Sequence, residues 1–351
     1  METSLLFGII VTTVAGLVMG LSPTPLKFMR QFKYEQFGLI SMFFSLFMIP
    51  WGITIIFCPD LDSVFREIDK GLLLRANIFS LCWGIAQVLA MLCFIRIGVS
   101  LTYGILCSIG AAIGIITPMI FKASGIFSTA PDIFSKAGIV VLAGVSVMIA
   151  GVYLASLAGF KREKQSQTEP SGTSRTTSGS FAIGLIMVIV AGILSAGWGF
   201  AFAYSQGPII EIMKAHGAAD FPSKIAVWAF VLIGAAVINI IYPAYLLTLN
   251  KSWNVIIKNG NEIMLSLLYG LLFCIPSLML GKGMLLLGSL GASVGMGITL
   301  GSVIIGGQIL GFASGEWKGV TGNPLKYIYA AIVVLVLSMM ILATGNLLAG
   351  K

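Results

Sequence analysis

The sequence predicts an all-α, polytopic membrane protein with ten transmembrane helices in two inverted five-helix repeats. Three observations carry that expectation. Of the 351 residues, 58% are hydrophobic and only 10% are charged, with a mean hydropathy of +1.01. Soluble domains carry about 25% charge, so most of this chain is shielded from water. Apolar runs of about 20 residues recur along its whole length, and in lipid such runs must be helices whose backbone groups pair internally. Finally, one long polar segment, KREKQSQTEPSGTSRTTSGS (161–180), divides the runs five and five.

The first span, 4–23, follows Glu2 and precedes Lys27, Arg30 and Lys33. That is the reverse of a secretory signal, which puts its basic residues first, so the segment is expected to stay as a true span. Spans 36–58, 73–94, 98–121 and 137–159 complete a first repeat over 1–160. The Ser, Thr, Gly and Gln content of 161–180 cannot form a core and reads as a flexible linker. Spans 181–205, 223–248, 264–288, 291–312 and 327–349 make a second repeat over 181–351. VAGLVMG (14–20) resembles VAGILSAG (190–197), and GVSLTYGI (98–105) resembles GASVGMGI (291–298). Because each half holds an odd number of spans, the second enters the membrane inverted, an architecture of many secondary transporters. Loops that share a side with Lys27, Arg30 and Lys33, the linker among them with Lys161, Arg162, Lys164 and Arg175, are the more basic set. By the positive-inside rule the linker is cytoplasmic and both termini are outside. The formal charge of +8 then serves anchoring at anionic lipid, not a nucleic-acid surface.

Several function classes are excluded. One histidine leaves nothing for a metal cluster or a His-based triad, and five cysteines, none in CxxC spacing, imply no disulfide framework. GASVG (291–295) matches the GxSxG nucleophile elbow, but it lies in a membrane span and no histidine follows it. Its glycines, like GLVMG (16–20), GAAIG (110–114) and GITLG (297–301), have the GxxxG spacing that lets helices approach closely. NKS (250–252) matches a glycosylation acceptor but falls on the predicted cytoplasmic side. With no Walker loop and no metal-spaced acidic pair, the sequence predicts neither an enzyme nor a cofactor.

Polar groups inside spans are costly unless paired or facing a cavity, so they mark candidate sites. Trp83 and Gln87 lie one turn apart, Ser100 and Tyr103 follow in span four, and Trp198, Tyr204 and Gln206 end span six. Asn239 in span seven has Tyr242 nearby. Aromatic faces with a few hydrogen-bonding groups suit an uncharged sugar, whose ring offers C–H faces and a rim of hydroxyls. No Asp or Glu falls at mid-membrane. Glu211 and Glu316, just beyond spans six and nine, and His216 are the candidates for carrying a proton. Lys282 interrupts PSLMLGKGMLLLG (276–288). The repeat sets it against Leu89 in span three, and counting back from Gly291 at 1.5 Å per residue puts it about 13 Å from that end, roughly the midplane. There it would be a cavity-facing charge or the partner of an anionic substrate group, the alternative being a lysine snorkelling from a helix end.

SPTPLKFMRQFKYE after span one, IPWGI (49–53), WGIAQ (83–87), IRIGVS (95–100), GILSAGWGFAF (192–202), VIN (237–239) and GEW (315–317) run in order along the chain. Together they resemble the bacterial L-rhamnose-proton symporter family of the drug/metabolite transporter superfamily. The resemblance implies ten helices in inverted halves, a central substrate site and sugar uptake driven by a proton gradient. It matches Pro25, Lys27, Glu35, Trp51, Trp83, Gly84, Asn239, Glu211 and Glu316 to the family pattern. The expected partners are therefore a sugar-like solute, a proton and the lipid bilayer, in a bacterial inner membrane. The rival readings are an exporter or anion carrier that uses Lys282, and a non-transporting membrane scaffold.

Overall fold

The computed structural model describes residues 2–97, 99–120, 132–166, 178–287 and 294–349, and all regular structure among them is helical. In chain order the first elements are α1 (Glu2–Leu21), a 3₁₀ turn (Thr24–Phe28), α2 (Tyr34–Met42), a π-helical segment (Phe43–Met48), α3 (Ile49–Phe57) and α4 (Leu61–Glu67). There follow α5 (Lys70–Ile97), α6 (Val99–Ile120), α7 (Lys136–Ser166), α8 (Ser178–Ser195) and α9 (Gly197–Ala215). The remainder is α10 (Asp220–Val231), α11 (Ile233–Leu249), α12 (Trp253–Lys258), α13 (Gly260–Leu286), α14 (Met296–Ala313) and α15 (Asn323–Ala349). Among the described residues eight helices are long and apolar enough to cross a membrane, or nine when α10 and α11 count as one bent span. A shorter apolar stretch, Ile105–Thr117, lies within α6.

Two expected spans are interrupted. The second, read as a single helix over 36–58, is α2, a wide π segment and α3. Pro50 sits at the start of α3 and has no N–H to give the preceding turn, and single π turns of this kind recur at functional sites. The seventh bends by 52° at Leu232 between α10 and α11. The sixth runs on past its expected end at 205, through α9 to Ala215, with a break at Ala196.

The chain divides into two compact units, each drawing on both sequence halves. One comprises 1–20, 86–196 and 283–351, the other 21–85 and 197–282.

In the first unit, Ala111 and Ile115 of α6, Val145 and Met148 of α7, Ile298 of α14 and Leu335 and Leu342 of α15 form an apolar core. With lipid as solvent the helices gain by close packing more than by water exclusion, and small residues set the approach. A Cβ on Gly20 of α1 would overlap the Val303 carbonyl of α14, and one on Gly110 of α6 would overlap Ser195 Oγ of α8. Hydroxyls in the spans bond back to their own helices, as Thr12 does to the Gly8 carbonyl at 2.9 Å.

In the second unit, α2 packs on α11, and α3 and α9 pack on α10. Its ends are tied by polar contacts. The Glu262 carboxylate, 8% exposed in the first turn of α13, accepts the backbone N–H groups of Arg30, Gln31 and Phe32 at 2.8, 2.7 and 2.5 Å. Asn250 Nδ2 donates to Glu35 Oε1 at 3.1 Å, and Gln36 Nε2 to Ser252 Oγ at 3.0 Å.

Candidate functional site

An aromatic wall runs through the second unit. Trp83 of α5 stacks on Trp198 at the start of α9, with ring centroids 5.9 Å apart, and on Phe273 of α13 at 6.0 Å. Trp198 lies 5.4 Å from Trp228 of α10, which stacks on Phe202 at 4.5 Å. Beyond them Trp51 of α3 meets Phe230 of α10 edge-on at 5.4 Å. Five helices deliver these seven rings, α9 and α10 two each, so the wall depends on all five being in register.

Buried polar atoms in native proteins are almost always hydrogen-bonded, and each exception asks for an explanation. Four in this unit have no hydrogen-bond partner among the described residues: Trp51 Nε1, Trp198 Nε1, Ser45 Oγ and Gln206 Oε1. Ser45 lies in the π segment and is 2% exposed. Indole N–H donors, a hydroxyl and an amide oxygen are groups that can bond hydroxyls, and the indole faces can pack a sugar ring.

The expected site residues separate on this map. Trp83, Trp198 and Asn239 belong to the second unit and come together. Asn239 is 2% exposed and donates to the Ala235 carbonyl at 3.0 Å and toward the Gly84 carbonyl at 3.5 Å, next to Trp83. Tyr204 stands further along, accepting from Arg75 Nη1 at 3.1 Å and packing edge-on against Phe79. Gln87 is half-buried and lies in the first unit. Ser100 and Tyr103 fall on α6, and their side chains lie outside the described residues, as do residues 291–293 of GASVG and 167–177 of the linker. Lys282 is exposed and stands four residues before the end of α13 at Leu286. At 1.5 Å per residue it is about 33 Å from the start of that helix, near its end and not midway along it.

The proton candidates lie near or just past helix ends. Glu211 is exposed in the last turns of α9. Glu316, in the other unit, pairs with Arg162 at 2.8 Å. His216, just past α9, has Nε2 2.7 Å from Glu67 Oε2 and Nδ1 3.4 Å from Asp60 Oδ2. The Glu67 hydrogen bond, opposed in part by burial, holds the imidazole above its ordinary pKa, and Asp60 adds to the rise. Two carboxylates are buried: Glu35, 6% exposed, which the sequence singled out only through the family resemblance, and Glu262, which it passed over. The available signal was their place in the first turns of α2 and α13, where acidic side chains favour a helix N-terminus. It also passed over Asn77 of α5, half-buried, whose amide reaches the bend between α10 and α11.

The fold and these groups define a multi-pass helical membrane protein. Compared with known proteins, the chain matches the L-rhamnose-proton symport protein (RhaT) family over residues 1–348. It belongs to that family, which is one of transporters and not of enzymes. It is 24% identical to the L-rhamnose-proton symporter of Yersinia pestis (strain Pestoides F) across 98% of this chain and 99% of the relative. It is 23% identical to that of Cronobacter sakazakii (strain ATCC BAA-894) across 92% of each.

Proposed function

We propose that this protein is a sugar–proton symporter of the inner membrane that takes up L-rhamnose or a close deoxy-sugar by alternating access. The observation that carries this reading is the aromatic wall with its unpaired buried atoms. L-rhamnose is uncharged, with a methyl group and ring C–H face for the indoles and hydroxyls for Trp51 Nε1, Trp198 Nε1, Ser45 Oγ and Gln206 Oε1. Trp83, Trp198 and Asn239 form the centre of the site, with Tyr204 and Lys282 contributing from the same unit. His216, Glu211 and Glu316 carry or gate the proton, and His216 is favoured because two carboxylates already surround its ring.

The reading includes ten spans in two inverted repeats, 1–160 and 181–351, joined by 161–180 in the cytoplasm, with both termini outside. Three features support it. The interruptions fall in the second span of either half, and paired broken helices are the best structural pointer to a transporter's site. The close pairs α1 with α14 and α6 with α8 exchange under the repeat. Loops meet as alternating sides require: that after the first span with that after the seventh at Glu262, and that after the second with that after the sixth at His216. Placement in the drug/metabolite transporter superfamily goes with that architecture.

The test is uptake by proteoliposomes offered neutral sugars, sugar acids and amino acids, with and without an inward proton gradient. Gradient-driven rhamnose uptake is expected. Selective uptake of sugar acids, lost in Lys282→Met, would favour the anion carrier, and no flux for any solute would favour the scaffold.

A further inference from the structure

In an unbroken helix the Gly234 N–H would donate to the Phe230 carbonyl, four residues back. In the seventh span that bond is replaced by the side chain of Asn77. Its Nδ2 donates to the Phe230 carbonyl at 2.9 Å, and its Oδ1 accepts the Gly234 N–H at 2.9 Å. These two partners, one acceptor and one donor, fix the orientation of the amide. The inserted amide coincides with the 52° bend at Leu232, as expected when a side chain enters the i→i−4 ladder. Gly234 makes the approach possible: a Cβ there would overlap the Asn77 carbonyl oxygen and lie 2.9 Å from Ser80 Oγ.

We infer that Asn77 is a removable wedge: a positioning residue whose amide holds the seventh span bent, and whose withdrawal lets that span straighten during transport. The exchange keeps both backbone groups paired, while the withdrawn amide gives up two bonds for their one. With the amide inserted, Phe230 and Gly234 bond to Asn77; with it withdrawn, they bond to one another. Asn77 Nδ2 also donates to the Leu73 carbonyl of its own helix at 2.9 Å, a contact available in either state. Two packings that each pair both backbone groups, the bent one favoured by the extra bond to the amide, are the kind of bistable element that a gating step needs. Phe230 connects the wedge to the proposed site, because the residue whose carbonyl is held also presents its ring to Trp51. This inference rests on the transporter reading for its role in the cycle, although the wedge itself is read from the hydrogen bonds.

The test compares wild type with Asn77→Leu and Asn77→Asp in proteoliposomes and by hydrogen exchange. A leucine fills the space but bonds neither group, so Phe230 and Gly234 pair with one another. Exchange across 230–236 is expected to slow, and uptake to fall about tenfold, the size of losing one to two backbone-strength hydrogen bonds in one state. An ionised aspartate accepts from Gly234 but cannot donate to Phe230, whereas a protonated one does both. The ratio of Asn77→Asp to wild-type uptake is therefore expected to rise as pH falls from 8 to 5. Faster exchange across 230–236 in Asn77→Leu, or a ratio that stays flat with pH, would overturn the wedge. Should Asn77→Leu fail to fold, the aspartate ratio alone decides. If wild type moves no solute, the transporter reading fails, and slowed exchange would still be required of the wedge.

Discussion

Trp198 stacks between two other indoles and yet leaves its own N–H without a partner, and that pairing of packing with an unmet donor is what makes it informative. Replacing it with phenylalanine keeps an aromatic ring and removes only the donor. Trp198→Phe and Trp51→Phe are each expected to raise the apparent KM for rhamnose about fivefold, roughly 1 kcal/mol for one neutral hydrogen bond, with little change in Tm. An unchanged KM would mean that the N–H groups do not meet the solute. His216 makes a second claim at this scale. Its pKa is raised by Glu67 and Asp60, so its contribution to stability is fully present below the unfolded value of about 6.5 and is lost as pH rises through the folded one. The Asp60 carboxyl is lowered, chiefly by its hydrogen bonds with Ser63, so its contribution is lost on the opposite, acid side. Wild-type Tm is therefore expected to decline between pH 6 and 9 more steeply than that of His216→Gln, as melting curves across that range would record. The residues of this site were partly legible. Trp83, Trp198 and Asn239 stood out as polar or amphipathic groups within apolar runs. Glu262 did not, since its burial follows from three backbone N–H groups more than 200 residues away in sequence.

Among the elements, hydropathy located the eight or nine candidate spans because lipid imposes one length on all of them, but it could not locate the breaks. Nothing in VLIGAAVIN signals a bend at Leu232, because its cause is an asparagine on another helix. The π segment is similarly silent in FFSLFM, although Pro50 just beyond it is a visible cause. Lys282 is a converse case. Its expected midplane position depended on a following span that starts at Gly291, whereas α13 ends at Leu286 and the next described helix begins at Met296. Of the GxxxG glycines, Gly16, Gly20, Gly110 and Gly297 sit at close approaches, whereas a Cβ on Gly114 would meet only Met296, at 3.9 Å. Gly20→Leu is expected to lower Tm by several degrees, since its side chain would meet the backbone of α14 at Val303, Gly306 and Gly307. Gly207→Ala is the matched control: nothing lies within 4 Å of a Cβ there, so Tm should hold or rise slightly. Equal losses in the two variants would contradict the packing role.

For the whole molecule, composition and the ordered motifs were enough to reach the membrane class and the family, because hydrophobic excess and motif order survive at 24% identity. The compact units were not legible. Each gathers segments from both halves, so the linker at 161–180 that separates the sequence does not separate the packing. An uncharged sugar and a proton are proposed to cross together. The most direct measurement of that coupling is uptake of radiolabelled L-rhamnose by proteoliposomes of the purified chain, with an imposed pH gradient, acid outside, that is then collapsed by a protonophore. Accumulation above the external concentration that disappears on collapse is expected. Uptake that only equilibrates, with or without the gradient, would contradict the coupling.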